Sequence, residues 1–449
     1  MTMTTNREGS NGGNDGHETH RLPSGPVAVV LAGAGARGAY EAGFVATLLP
    51  HLRPRPKIFV GTSAGAINAA LLASVAHRDA GEARDEIIKR WKSIKRDRVL
   101  APIAPSIAGA LIQYLGALFL GSSPPDGILG TAPLLASLGD KSLIDWRQIH
   151  DNIKEGSAEV LAVVATESGS GRSKVFYEKT PKKADPIATD EDQAIDYIPL
   201  PLTPDHVRAS AAIPVLFPPV LLDYSSGQRF FIDGGVRLNA PLKPALQFGA
   251  EGVVVISTDP RRYGTSDAVD GERAPSVLDQ LLQVMRGIFA DRMIEDIRVL
   301  LARNAAVVDG RKDRPVTTPA ENDKYIPLIF GGPNDQDRVG NVAARAVRQI
   351  LRSPWRLFTN PDLCITDWLT SVSPTSAPDL LSYILFEPEF IKEALQAGVN
   401  DAEALLSDCP DPVSLWDSLR RKEHRKHVAL RAREAHRSGG GALAANASS

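Results

Sequence analysis

Short apolar runs, each followed by glycines and then by a helix-compatible segment, recur in the first part of this chain. The run at 27–31 precedes glycines at 33, 35 and 38, and the composition then favours a helix over Ala39–Leu49. A second run at 57–60 precedes glycines at 61 and 65 and a stretch rich in Ala and Leu up to Val75. Two successive units of strand, turn and helix predict a parallel sheet covered by helices.

The pattern continues to residue 260 and then changes. Apolar, β-rich runs predict strands at 159–166, 173–177, 229–232 and 252–257, and helices are predicted at 205–212 and 242–248. From Ser276 onward the spacing is helical, with many charged residues. The sequence therefore predicts an α/β fold with a mostly parallel central sheet flanked by helices at 26–260, and a mainly helical C-terminal extension at 275–435.

Both ends of the chain are polar. Residues 1–24 lack the apolar stretch of a secretory signal and are rich in Gly, Asn and Thr, which predicts disorder. The tail at 438–449 consists of small and polar residues and is also expected to be disordered.

The bulk composition excludes some classes of protein. Of the 449 residues, 43% are hydrophobic, enough for a large core, and the net charge of −2 argues against a nucleic-acid binder. The two cysteines, Cys364 and Cys409, give no disulfide framework and suit a reducing compartment. A cytoplasmic location is therefore expected.

The segment Gly61-Thr-Ser-Ala-Gly65 is the first candidate for chemistry. A serine on a sharp turn from a strand into a helix projects its hydroxyl away from the sheet, and the flanking glycines remove side chains that would clash in the bend. The helix beginning at Ala64 would point free amides toward an anion formed next to Ser63. An ordinary glycine-rich turn remains the alternative interpretation.

The segment Gly33-Ala34-Gly35-Ala36-Arg37-Gly38 allows three interpretations. It fits a dinucleotide fingerprint, but the acidic residue expected at the end of the next strand is replaced by the Ser63 turn. It also fits an oxyanion hole, in which backbone amides approach a tetrahedral intermediate and Arg37 adds positive potential. The third interpretation is a glycine turn needed only for packing.

The base that would activate Ser63 is the next question. Of the nine histidines, only His206 merits a test as a base, and a capping role fits it better. Asp233 lies at the end of an apolar strand, immediately before Gly234 and Gly235. Strand ends of a parallel sheet cluster at one edge, so Asp233 is expected to reach Ser63 directly. An aspartate becomes a useful base only when it is desolvated, which predicts a buried carboxyl.

Together these motifs resemble the patatin-like phospholipases, in the order of that family: GAGARG at 33–38, GTSAG at 61–65 and DGG at 233–235. The stretches Ala209–Val220 and 163–176 are also similar to segments of the family, and the resemblance covers about residues 26–260. It implies a Ser63–Asp233 dyad without histidine and acyl-ester hydrolysis of phospholipids or other lipid esters. It implies no metal and no cofactor. Ala34 departs from the family's consecutive glycines, which leaves the geometry of the oxyanion hole to be tested.

Two other functions remain open. One is a serine esterase or thioesterase that acts on soluble substrates, which short-chain and long-chain ester assays would separate from a lipase. The other is a non-catalytic binding protein with the same fold. Intact Ser63 and Asp233 argue against the second alternative.

Two segments suggest peripheral membrane contact. Residues 99–125 contain no charged residue, and they predict a buried helix, a hydrophobic lid or lipid-docking surface, or a short membrane-spanning helix. Residues 420–437 are strongly basic, and they predict either a solvated charged helix or a segment that attracts anionic lipid headgroups.

Overall fold

The fold was analysed in a computed structural model. It describes residues 22–94, 97, 99, 130, 132–181, 185–224, 227–258, 280, 291–308, 324–333, 338–351, 381–383 and 385–418. The predictions for 1–24, 99–125, 420–437 and 438–449 lie outside these residues, apart from 22–24 and Val99. Among the described residues, no helix has both the length and the apolar character needed to cross a bilayer.

A mixed, mostly parallel sheet forms the centre of the described fold. Its strands are β1 (Val27–Leu31), β2 (Pro56–Thr62), β3 (Val160–Glu167), β4 (Ser173–Lys179), β5 (Ile195–Pro199), β6 (Val220–Tyr224), β7 (Gly227–Asp233), β8 (Gly252–Ile256) and β9 (Leu328–Gly331). The main order is β5-β4-β3-β2-β1-β8-β9, while β7 pairs with both β3 and β6.

Helices cover both faces of the sheet. They are α1 (Gly38–Leu48), α2 (Ala64–Ser74), α3 (Ala80–Ser93), α4 (Ala132–Gly139), α5 (Trp146–Glu155), α6 (Pro204–Ser210), α7 (Leu242–Gln247), α8 (Asp291–Val308), α9 (Arg338–Leu351), α10 (Pro388–Asp408) and α11 (Pro412–Trp416). Short 3-10 turns occupy Gly35–Arg37, Leu49–His51 and Gly234–Val236. One apolar cluster contains side chains of α1, α2 and α10, and the other contains side chains of α7 and α8.

The central strands are mostly apolar because both of their faces are buried. Every residue of β1, β3 and β8 is buried. β1 pairs in parallel with β2 on one side and with β8 on the other. Strands covered by helices on both faces have continuous Val- and Ile-rich sequences of this kind. The predicted fold class is therefore confirmed.

The sheet continues beyond residue 260. β9, at Leu328–Gly331, pairs in parallel with β8, so the C-terminal part of the chain contributes a strand as well as helices. The division into 26–260 and 275–435 stays a prediction, but the sheet does not stop at that division.

Helix α10 packs against α1 at very short range, and two glycines allow it. A Cβ at Gly43 would collide with the carbonyl oxygen of Leu395, and a Cβ at Gly398 would collide with that of Tyr40. The Tyr40 hydroxyl donates to Asp401 Oδ2 across the same interface at 2.8 Å. The C-terminal helix α10 is thus part of the core that supports α1.

Candidate active site

Ser63 lies on a strained turn between β2 and α2. Its φ of 55° and ψ of −125° are rare for a residue other than glycine, and its side chain is buried. A Cβ at Gly61 would collide with the carbonyl of Gly65, and one at Gly65 would collide with the carbonyl of Leu31. Both glycines are therefore required for the turn that presents Ser63.

Asp233 ends β7 and precedes the 3-10 turn at Gly234–Val236. Its side chain has no exposed surface, and Oδ1 accepts a hydrogen bond from the Gly235 amide at 2.7 Å. A Cβ at Gly234 would collide with the carbonyl of Val164, so this position needs glycine to let the chain turn against β3. The carboxyl is thus desolvated and oriented by its own backbone.

The register of three strands brings Ser63 and Asp233 together. On one edge of β3, Thr62 of β2 pairs with Val164, and Asp233 of β7 pairs with the next residue, Ala165. β2 runs parallel to β3, whereas β7 runs antiparallel to it, so the two strands end head to head. The sequence analysis expected β7 to run parallel to β2, with both residues at the same ends of their strands. That part of the expectation was wrong, because β7 runs antiparallel to β3.

The pKa of Asp233 is raised to about 7 because complete burial disfavours the carboxylate. Hydrogen bonding from the Ser63 hydroxyl and the Gly235 amide lowers the pKa of Asp233 and so opposes this rise. The Ser63 hydroxyl therefore lies next to the carboxyl. The contact does not reach full hydrogen-bond geometry, and Oδ2 has no hydrogen-bond partner among the described residues. Hydrogen bonds between catalytic groups are often loose before substrate binds and tighten in the complex, so this geometry is compatible with proton transfer between the two groups.

Ser210 supports this arrangement, and the sequence analysis did not assign it a role. The Ser63 amide donates to Ser210 Oγ at 2.8 Å, and this hydroxyl donates to the carbonyl of Val164. Two residues later, the carbonyl of Ala212 accepts from the Asp233 amide at 2.8 Å. The available signal was the Ser-x-x-x-Pro spacing at 210–214, which pointed to the segment but not to its contacts.

The loop at 33–38 lies directly against Ser63, but half of its amides are already engaged. The Gly33 amide donates to Asn239 Oδ1 at 2.8 Å, the Arg37 amide donates to the carbonyl of Ala34, and the Gly38 amide donates within the 3-10 turn. A Cβ at Gly33 would lie 2.8 Å from Ser63 Cβ. Ala34 has a φ of −160°, which any residue adopts. The oxyanion candidates are therefore Ala34, Gly35, Ala36 and, at the start of α2, Ala64.

The positive potential expected from Arg37 stays a prediction, and its side chain makes contacts that the sequence did not predict. Its guanidinium is buried, and Nε donates to Ser382 Oγ at 2.6 Å. The same group stacks over the Tyr383 ring at 4.0 Å from the ring centroid. Arg37 thus joins the loop to residues 381–383.

A buried acid lies behind the same loop. Glu41 of α1 accepts from the Ala32 amide at 2.9 Å and from Asn68 Nδ2 at 2.7 Å. Trp91 Nε1 donates to Asn68 Oδ1 at 2.8 Å, which fixes the orientation of the amide because an indole can only donate. Complete burial raises the pKa of Glu41 to about 8. Both carboxyl oxygens face N–H donors, so Glu41 connects the loop with α2.

An apolar pocket opens beside Ser63. Its empty space is about 770 Å³, part of it open to solvent. Apolar side chains dominate its walls, among them Ile67, Trp91, Leu134, Ile213, Phe217 and Phe386. A pocket of this size and character suits a hydrocarbon chain better than a polar substrate.

The histidine and metal alternatives find no support among the described residues. Nδ1 of His206 faces the amide and the hydroxyl of Thr203 in a helix-capping arrangement. Burial lowers the pKa of His206 to about 4. In the described part of the chain, no group of His, Cys, Asp or Glu is arranged to hold a metal ion.

Comparison with known proteins agrees with this fold. Residues 29–246 match the family model described as "Patatin-like phospholipase". The match confirms, over these residues, the resemblance found in the sequence.

The chain was also compared with solved structures and with curated protein sequences. The chain is similar to the crystal structure of VipD from Legionella pneumophila with 14% identity and a TM-score of 0.28, over 84% of this chain and 67% of that one. No curated protein sequence matches the chain.

Proposed function

We propose that this protein hydrolyses carboxylic esters of lipids through a Ser63–Asp233 dyad and a covalent acyl-enzyme. One observation carries the proposal: β2 and β7 end head to head on β3 and bring a serine on a strained turn against a fully buried carboxyl. The patatin-like domain supports the class of reaction, and the apolar pocket supports a substrate with an acyl chain.

The first half-reaction forms the acyl-enzyme. Asp233 takes the proton of the Ser63 hydroxyl, and Oγ attacks the ester carbonyl carbon. The carbonyl oxygen becomes an oxyanion, for which the amides of Ala34, Gly35, Ala36 and Ala64 are the candidate donors. The C–O bond to the alcohol then breaks, and the leaving alcohol takes the proton from Asp233.

The second half-reaction regenerates the serine. Asp233 removes a proton from water, which attacks the acyl carbon, and the fatty acid leaves as Ser63 recovers its proton. A carboxyl with a pKa of about 7 suits this double role, because a base is most effective when its pKa lies near the working pH.

Substitution of either member of the dyad tests the proposal. Ser63→Ala and Asp233→Asn are each expected to lower kcat by about 10⁴-fold or more, as for other catalytic units that act together. Ser407→Ala and Asp223→Asn are matched controls because both residues are exposed and lie outside the site. Long-chain and short-chain esters should both be assayed, since a preference for short chains would favour a soluble-ester esterase.

Labelling with a fluorophosphonate probe gives a second readout that does not depend on the substrate. Peptide mapping is expected to find the adduct on Ser63, and Ser63→Ala should abolish it. A folded wild-type protein that resists the probe and cleaves no ester would favour the non-catalytic alternative. Peripheral membrane contact through 99–125 and 420–437 stays a prediction, which vesicle co-sedimentation can test.

A further inference from the structure

A short segment far from the matched domain reaches the candidate active site. Residues 381–383, 385 and 386, here called the wall segment, lie more than 130 positions after residue 246, where the family match ends. Two of its side chains, Tyr383 and Phe386, nevertheless line the pocket beside Ser63. Part of the pocket is therefore contributed by a portion of the chain that the family match does not include.

The wall segment is held by the glycine-rich loop itself. A Cβ at Gly35 would collide with the carbonyl oxygen of Tyr383, so the two backbones touch at a position where φ is +54°. Arg37 adds a hydrogen bond to Ser382 Oγ at 2.6 Å and a stacking contact with the Tyr383 ring. Tyr383 and Ser382 are buried, as is Arg37. These contacts fix the wall against the loop rather than leave it as a loose cover.

Helix α10 fixes the other end of the wall segment. It begins at Pro388, two residues after Phe386, and packs on α1 through Gly43 and Gly398. α1 in turn begins where the glycine-rich loop ends, at Gly38. The loop, the wall segment and both helices are therefore joined by direct packing contacts beside the pocket.

We propose that the wall segment sets the acyl-chain length that the pocket accepts, with Phe386 as the specificity-determining side chain. The proposal rests on the proposed function, because it takes the pocket to be the acyl site. The buried Phe386 ring occupies space at the pocket wall and so limits the volume available to a hydrocarbon chain. A smaller side chain at this position adds space for further methylene groups, and a larger one removes it.

Two opposite substitutions test the proposal in turnover. The kcat/KM values for 4-nitrophenyl butyrate, octanoate and palmitate give a ratio of long-chain to short-chain hydrolysis. Phe386→Leu is expected to raise the palmitate-to-butyrate ratio about tenfold, and Phe386→Trp to lower it about tenfold. Phe390→Leu is the matched control, because Phe390 is a buried phenylalanine of α10 that does not line the pocket. It should lower stability without a change in the ratio.

A binding measurement separates this inference from the proposed chemistry. In the Ser63→Ala background, calorimetric titration with octanoate and palmitate reports the pocket without turnover. The same two Phe386 substitutions should move the ratio of the two Kd values in opposite directions. A wild-type protein that hydrolyses no ester, together with shifted Kd ratios in the Ser63→Ala background, would overturn the proposed function and retain the inference. Unchanged ratios in folded Phe386 variants, by either method, would overturn the inference.

Discussion

At the scale of single residues, the site depends on backbone positions that most side chains cannot adopt. Ser63 holds a positive φ, a conformation that costs a residue other than glycine about 1–3 kcal/mol, and the surrounding structure must supply that energy. Ser210 stabilises this conformation by accepting a hydrogen bond from the Ser63 amide. The glycines at 61 and 65 stabilise it by allowing close packing against backbone carbonyls. The strain fits a role in presenting the hydroxyl rather than a role in packing.

Glu41 gives a prediction at this scale. In Glu41→Ala, the Ala32 amide and Asn68 Nδ2 lose the carboxyl oxygens that accept their hydrogen bonds, whichever protonation state the acid has. An unsatisfied buried group of this kind costs about 1–3 kcal/mol, so the variant should be less stable. Since the strain falls on the loop beside Ser63, kcat should fall about tenfold while KM changes little.

The matched control for Glu41→Ala is Glu82→Ala, a substitution at an exposed position of α3. Denaturation curves and steady-state kinetics of both variants make the comparison. If Glu41→Ala behaves like Glu82→Ala in stability and kcat, the interpretation of the Glu41 contacts as a positioning network is wrong.

At the scale of secondary-structure elements, the long apolar runs were predictable and the pairings were not. The runs at 27–31, 159–166 and 252–257 gave β1, β3 and β8, because continuous burial leaves a strong pattern in the sequence. Three further strands are absent from the prediction. β5 contains Asp196 and ends at Pro199, β6 exposes alternate residues, and β9 has only four residues.

In the candidate site, too, local features were predictable from the sequence and contacts between distant segments were not. Ser63 and Asp233 were found from their motifs, because each motif is local and contains glycines that only a tight turn requires. The antiparallel entry of β7 was missed, since direction depends on pairing with β3 and not on the composition of β7. The contact of Arg37 with Ser382 was also missed, because nothing local to 33–38 indicates a partner 345 residues away.

The crossing of α1 and α10 gives a prediction for elements. In Gly398→Ala, the added Cβ would collide with the carbonyl oxygen of Tyr40 and push the helices apart. Overpacking of this kind costs about 1–3 kcal/mol, so a lower Tm is expected, together with reduced activity because α1 follows the loop. Gly139→Ala is the control, since a Cβ there meets nothing within 4 Å. Equal Tm values for the two variants would contradict the close helix contact.

At the scale of the whole molecule, two buried acids link pH to stability. Burial raises the pKa of Asp233 from 3.8 to about 7 and that of Glu41 from 4.5 to about 8, so the folded state holds protons that the unfolded state has released. Stability should therefore fall as pH rises through both folded-state values. Below about pH 6.5 the lowered pKa of His206 acts in the opposite direction, so the clear window is pH 6.5–8.5.

Thermal and denaturant unfolding across this window measures the effect. The free energy of unfolding should decrease with pH by at most about 1.4 kcal/mol per pH unit for each proton held. Over the same window kcat/KM should increase, because only the ionised Asp233 can act as a base. Asp233→Asn should flatten the stability curve in part, whereas Asp223→Asn should leave it as in the wild type. A wild-type curve that rises with pH would contradict the raised pKa values.

The position of β1 between β2 and β8 has a consequence for anyone who shortens the gene. Trimming the protein to residues 29–246 would delete the first two residues of β1 and the whole of its neighbour β8. The backbone donors and acceptors along that side of β1 would then be unpaired. Exposed strand edges of this kind pair with strands of other molecules. A protein truncated in this way would aggregate before its activity could be assayed. A lack of activity in it would therefore say nothing about the 449-residue chain.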